Sequence, residues 1–244
     1  DWLGAQAPEH AEVWRDLGVR TGAVTVTGSV KFDGAGQRLP EERTEFSELL
    51  MAFGARRSIV LLASSHAGEE AWVARALGEH SDLLLVVVPR HAERRNEVRA
   101  DLRAQGREGI LKTEFAVPTN PAKAVLIADT TGELRDWNAH ADVVVIGKSI
   151  LGRGGQNPTE AIAAGKPVVA GPHMGNFEPL VSQLRDTGGV VTVSTPEELA
   201  REVSDLIRDG KRRRKLTEAA KEVLTQHEGA CRRTVDALRE LCGQ

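Results

Sequence analysis

Two chemistries are nearly absent from this sequence: thiol or metal frameworks, and membrane spans. Its 244 residues hold only two cysteines, Cys231 and Cys242, and neither has a CxxC partner or a neighbouring His pair, which sets zinc aside. Eleven residues apart, they share one helical face and read as buried free thiols, suited to a reducing compartment. No apolar run approaches the ~18 residues of a membrane span. The longest candidate, LLLVVV at 83–88, is strand-sized, and no signal-peptide pattern is visible. Charge of one sign is also lacking. A net charge of −3 with 27% charged residues argues against a nucleic-acid partner held by a basic face. There is no internal repeat and no low-complexity segment. The chain opens on Asp1 and reads as part of a longer protein.

What is present is enough apolar sequence, 41%, to bury a sizeable core, arranged as alternating element types. Apolar β-rich runs stand at 24–30, 58–63, 83–88, 125–128, 142–146, 167–170 and 190–193. Helical spacing is found at 41–53, 69–78, 91–105, 131–140, 157–164 and 177–186, with Phe46, Leu49, Leu50 and Phe53 marking the first. Residues 34–40 read as loop, and 196–241 as three helical segments broken at Gly210 and Gly229. From 58 onward the strands are continuously apolar rather than alternating, the pattern of strands covered on both faces. Strands interleaved with helices predict an α/β fold, a doubly wound parallel sheet with right-handed crossovers. Ligands of such sheets sit beyond the carboxyl ends of the strands, so the loops there carry the chemistry.

After 58–63 come Ser64, Ser65, His66, Ala67 and Gly68, then Glu69 and Glu70. Hydroxyls and an imidazole at a helix start suit an anion; the same residues suit plain capping, with the glutamates complementing the helix dipole. After 83–88, Pro89 stops the strand while Arg90 and His91 emerge at the site edge; an Arg there grips a phosphate, or else simply begins a solvated helix. After 125–128, Asp129 to Gly132 suit a polar loop under a ligand or an N-cap. The richest loop follows 142–146. Gly147-Lys148-Ser149 looks like the end of a P-loop, but Asp142 stands where that motif needs its first Gly, which excludes an NTPase. Further on, Gly154 and Gly155 leave a phosphate room to approach the backbone, Asn157 takes a cap position with Pro158 at the first helical position, and Glu160 sits one turn deeper, where a carboxylate accepts both hydroxyls of a ribose. A capping-box role suits Glu160 as well. The loop after 167–170, with His173 and the cap candidate Asn176, is Gly-bracketed and polar.

Taken together, VTVTGSVKFD (24–33), ASSHAGEE (63–70), VVPRHAER (87–94), IADTTGEL (127–134), ADVVVIGKSILGRGGQNPTEAIAAGKPVV (141–169) and GPHMGNFEPLV (171–181) resemble one family in order. It is the 3-deoxy-D-manno-octulosonic acid (Kdo) transferases of lipopolysaccharide synthesis. The resemblance implies a glycosyltransferase of GT-B architecture, here its Rossmann-like C-terminal donor-binding domain alone. It implies CMP-Kdo as donor, a lipid A precursor as acceptor, an N-terminal acceptor domain carrying the general base, no metal, and peripheral residence at the cytoplasmic face of the bacterial inner membrane, with this piece itself soluble. Residues 1–33 would then be an N-terminal or interdomain segment, 34–210 the nucleotide-sugar domain, and 211–244 helices packing on the domain or on its partner half. Ser64, Ser65, His66, Pro89, Arg90, Lys148, Ser149, Gly154, Gly155, Asn157 and Glu160 are the expected donor contacts; the catalytic residues stay unassigned, with the general base expected in the N-terminal half. Two departures stand out: Lys148 where the family commonly has Gly, and Gln156 where it commonly has His. Neither touches phosphate binding, though both put the exact sugar in question.

The run KRRRK at 211–215 reads as a solvated helix face or as a contact for anionic lipid headgroups. Cys231, Val235, Leu238 and Cys242 line one helical face that, if left open, favours dimerisation. Other function classes remain: a UDP-sugar transferase or epimerase of the same fold, or a non-catalytic nucleotide-binding module. A dinucleotide oxidoreductase is disfavoured, because no GxGxxG follows the first strand.

Overall fold

A computed structural model describes residues 1–33, 40–54, 57–79 and 82–243. The expected loop at 34–40 lies, but for Pro40, outside the described residues. The chain begins with β1 (Leu3–Ala5), α1 (Pro8–Asp16), β2 (Val24–Val26) and α2 (Val30–Asp33). Then follow α3 (Thr44–Met51), β3 (Ser58–Ser65), α4 (Glu69–Leu77), β4 (Leu83–Pro89), α5 (Arg95–Ala104), β5 (Glu108–Leu111), β6 (Ala124–Ile127), α6 (Leu134–His140), β7 (Val143–Ile146) and α7 (Thr159–Ala163). The chain ends with β8 (Val168–Ala170), α8 (Leu180–Thr187), β9 (Val191–Thr192), α9 (Pro196–Arg208), α10 (Gly210–Thr225) and α11 (Ala230–Cys242).

Seven strands form one parallel sheet in the order β5-β6-β4-β3-β7-β8-β9. The winding reverses between β3 and β7, so that is where a crevice opens. Continuous apolarity has the expected cause. On β3, Leu61 and Ala63 join the core shared with α3, α6, α7, α8 and α10, while Val60 and Leu62 join the core under α4, α5 and α9. β4 alternates in the same way, Leu84 and Val86 to one side and Leu85 and Val87 to the other. Each such fully buried Leu or Val contributes about 1.5–3 kcal/mol relative to exposure. Phe46 of α3 stacks on Trp137 of α6, ring centroids 3.9 Å apart, and fixes α3 over the sheet.

The structure departs from the sequence reading in four places. The run 24–30 is a strand only to Val26; Gly28 takes a φ of +82° and the chain turns into α2. β1 pairs in parallel with β2 as a separate two-stranded sheet joined by α1, a unit the sequence reading passed over. β5 was also passed over: EGIL is short, carries Glu and Gly, and pairs only at the sheet edge. The helices after 210 pack on the domain, one of the two arrangements expected. Ala220, Val223 and Leu224 of α10 lie in the main core, and only α11 returns to the N-terminal segment. There Asp33 accepts from the Gly229 and Cys231 amides, 2.5 and 2.7 Å, and Arg233 Nε donates to Thr27 O, 2.9 Å. Cys231 and Cys242 are exposed, not buried as the sequence suggests. In the 211–215 run, Arg212 pairs with Glu202 and Asp205 and Arg213 donates to the Leu206 and Ile207 carbonyls, leaving Lys211, Arg214 and Lys215 facing outward.

Candidate functional site

The ends of β3, β7 and β8 converge so closely that two positions cannot carry a side chain. A Cβ on Gly147 would lie 2.2 Å from Ser64 O, and one on Gly171 would lie 2.0 Å from Ser149 O. Ser64 and Lys148, facing each other across this junction, both adopt the left-handed conformation at φ +55°, which costs a side-chain-bearing residue on the order of 1 kcal/mol. Beneath them lies Glu69, fully buried at the start of α4. Its carboxylate accepts from the amides of His66 (3.0 Å), Lys148 (2.6 Å) and Ile150 (3.3 Å). Glu70, also fully buried, accepts from Ser65 Oγ at 2.7 Å and Arg94 Nη1 at 2.9 Å. Neither glutamate merely complements a helix dipole: together they fix both turns.

An open crevice of about 390 Å³ runs along this edge, lined by Ser64, Pro89, Arg90, Thr131, Arg135 and Glu160 among others. It thus gathers four of the expected donor contacts, Ser64, Pro89, Arg90 and Glu160, from three segments far apart in sequence. Arg90 is exposed, and its side chain has no partner among the described residues. Glu160 is half-buried and loosely paired with Arg135 at 3.8 Å. The sequence reading missed Arg135. It sits on a helix of mixed polarity, and only the fold shows that α6 and α7 face each other. The crevice floor is held by Glu133, which accepts from Lys112 Nζ at 2.8 and 2.9 Å and from Thr130 Oγ1. Burial would raise the Glu133 carboxyl, but the Lys112 and Thr130 hydrogen bonds win and hold it below its usual range.

Other expected contacts are corrected. Ser65 and Ser149 are fully buried; Ser65 Oγ is spent on Glu70, and Ser149 Oγ donates to Ile146 O and accepts from Gly171 N. Both hydroxyls are spent within the chain. At Gly154 and Gly155 added Cβ atoms would meet Asn176 Nδ2 at 2.4 Å and Met174 Sδ at 2.3 Å, and the Gly155 N–H donates to Lys148 O. These glycines serve the chain's own packing. Asn157 caps α7 as expected, Oδ1 accepting from Thr159 N at 3.1 Å and Thr159 Oγ1 at 2.9 Å, so its side chain is likewise engaged.

His66 and Lys148 are not among the residues lining the crevice. The Gln156 amide nitrogen stands 2.9 Å from His66 Nε2, which a neutral imidazole accepting there satisfies. Burial depresses the His66 pKa, helped by Lys148, Arg94 and His91 and opposed by Glu69. Burial first also lowers His140 and His227. All three must therefore gain protons on unfolding in mild acid. Below the unfolded histidine pKa of about 6.5, the unfolded chain binds more protons, so stability falls as pH drops. The expected outcome is a lower Tm at pH 5.5 than at pH 7.5, before most carboxylates titrate; an unchanged Tm contradicts it.

Residues 123–223 match the family described as Glycosyl transferases group 1. The chain is 35% identical over 228 residues to the 3-deoxy-D-manno-octulosonic acid transferase of Bordetella pertussis, covering 91% of this chain and 52% of that protein. The chain is a homologue of the Kdo transferases. The Kdo transferase of Haemophilus influenzae is 31% identical over 242 residues, 97% of this chain and 56% of that protein. The chain therefore spans about half the length of these Kdo transferases. Its fold matches the C-terminal CMP-Kdo binding domain of WaaA from Acinetobacter baumannii with a TM-score of 0.64 and 25% identity, over 74% of this chain and 97% of that one. The Rossmann-like, GT-B-type fold read from the sequence is borne out, as is the resemblance to the donor-binding half of Kdo transferases. Among the described residues no helix is long and apolar enough to cross a membrane.

Proposed function

We propose that this chain is the donor-binding half of a glycosyltransferase that transfers Kdo from CMP-Kdo to a lipid A precursor. The carrying observation is the convergence of Ser64, Arg90 and Glu160 on one crevice at the point where the sheet's winding reverses. In this reading Glu160 accepts the ribose hydroxyls, Arg90 supplies charge to the nucleotide, and the phosphate lies toward Ser64. The CMP leaving group gains negative charge as its bond to Kdo breaks, and positioned cations lower that barrier without a metal. The acceptor hydroxyl is deprotonated by a base in the other half of the enzyme. The assembled enzyme sits peripherally at the cytoplasmic face of the bacterial inner membrane, where Lys211, Arg214 and Lys215 offer three outward cations to anionic lipid.

Calorimetric titration tests this. CMP is expected to bind the chain more tightly than UDP, while the chain alone transfers no Kdo. Glu160→Ala and Arg90→Ala each remove charge-assisted hydrogen bonds worth about 1.5–3 kcal/mol, a loss of roughly tenfold or more. CMP affinity within twofold of the native value in both variants refutes the assignment, and a preference for UDP refutes the donor.

A further inference from the structure

Lys148 carries a side chain in a conformation that glycine adopts freely, φ +55°, and its ammonium has no acidic partner among the described residues. The position is built rather than incidental. Glu69 holds the Lys148 amide at 2.6 Å, and Lys148 O accepts from Gly155 N at 3.0 Å. Gly152 leaves the room its stem occupies, since a Cβ there would come within 2.8 Å of Lys148 Cγ. His66, close enough to feel the Lys148 charge, is hydrogen-bonded to Gln156. One cation flanked by two neutral polar side chains thus lies beside the crevice but outside its lining. Glu160 and Arg90 stand in the crevice itself. A residue held in a strained conformation with an unspent charge belongs to a site that uses the charge.

Resting on the reading above that the crevice takes the cytidine nucleotide, we propose that Lys148 is a specificity-determining residue that binds the carboxylate of the donor sugar, with His66 and Gln156 beside it. The nucleotide contributes its phosphate charge in the crevice; the sugar contributes a second, planar anion further along, and an ammonium with adjoining hydrogen-bonding side chains suits it. The carboxylate, absent from common neutral nucleotide sugars, makes this contact a filter for acidic ones.

The test titrates cytidine, CMP and freshly prepared CMP-Kdo against the native chain and the variants K148G, K148N and K148R, with Tm as the folding control. Glycine and asparagine both accept the left-handed conformation, so the two neutral variants are expected to melt at or above the native Tm. CMP-Kdo affinity is expected to fall about tenfold in K148G and K148N and to stay within about threefold in K148R, as for loss or retention of one charge-assisted hydrogen bond. Cytidine and CMP are expected to bind all variants alike. Equal losses for CMP and CMP-Kdo place Lys148 on the phosphate and overturn the proposal, as does no loss for either. Failure of the native chain to bind CMP at all instead overturns the nucleotide reading, and the proposal with it.

Discussion

Gly147→Ala is expected to destabilise the domain by about 3 kcal/mol and to abolish CMP binding, the cost of forcing volume into a packed interior. The added methyl would meet only backbone: Ser64 O at 2.2 Å, Ser64 C at 2.6 Å and Ser65 Cα at 2.8 Å. No rotamer relieves such a contact, so β3 and β7 must part at their carboxyl ends. That end of β3 is already held tightly, with Gly147 N donating to Ala63 O at 2.8 Å and Ser64 in the left-handed region. Displacing Ser64 moves the wall of the crevice and the support of Lys148 together. Urea denaturation gives the stability loss, and a titration with CMP gives the binding loss. A variant of native stability that still binds would mean that the junction is far more compliant than its contacts indicate.

Glu69→Ala is expected to cost about 3–5 kcal/mol, lowering Tm by roughly 10 °C, because it strands three buried amides whose unmet hydrogen bonds cost about 1–3 kcal/mol each. The amides belong to His66, Lys148 and Ile150, so one carboxylate ties the turn after β3 to the turn after β7. Glu69→Gln keeps only one acceptor oxygen and is expected to fall between alanine and the native chain. A thermal melt of the three proteins checks the order. A loss below about 1 kcal/mol in the alanine variant would show that water or a neighbour replaces the carboxylate without penalty.

The sequence makes the sheet legible because every central strand is apolar on both faces, and burial on both faces leaves no other pattern. The edge strand β5 escapes the same reasoning: EGIL has one neighbour, so its composition is under half the constraint. The unit of β1, α1 and β2 escapes it because its strands are three residues each. The site divides along a similar line. Pro89, Arg90 and Glu160 were readable as loop and helix-start residues beyond strand ends. Ser64 was readable too, but the glycines and the other two serines were not, since spacing does not tell whether a small residue makes room for a ligand or for the chain itself. Gly154 and Gly155 admit Asn176 and Met174, and Ser65 and Ser149 bond inward. The acidic pair after Gly68 shows the converse. Their sequence context suggests helix-end decoration, yet both carboxylates are fully buried and organise the site.

Soaking a crystal of this chain with cytidine monophosphate tests the central claim most directly. The expected electron density places the ribose against Glu160 and the nucleotide between Arg90 and Ser64. A nucleotide bound away from these three residues, or seated on the turn at Gly154 and Gly155, would contradict the account.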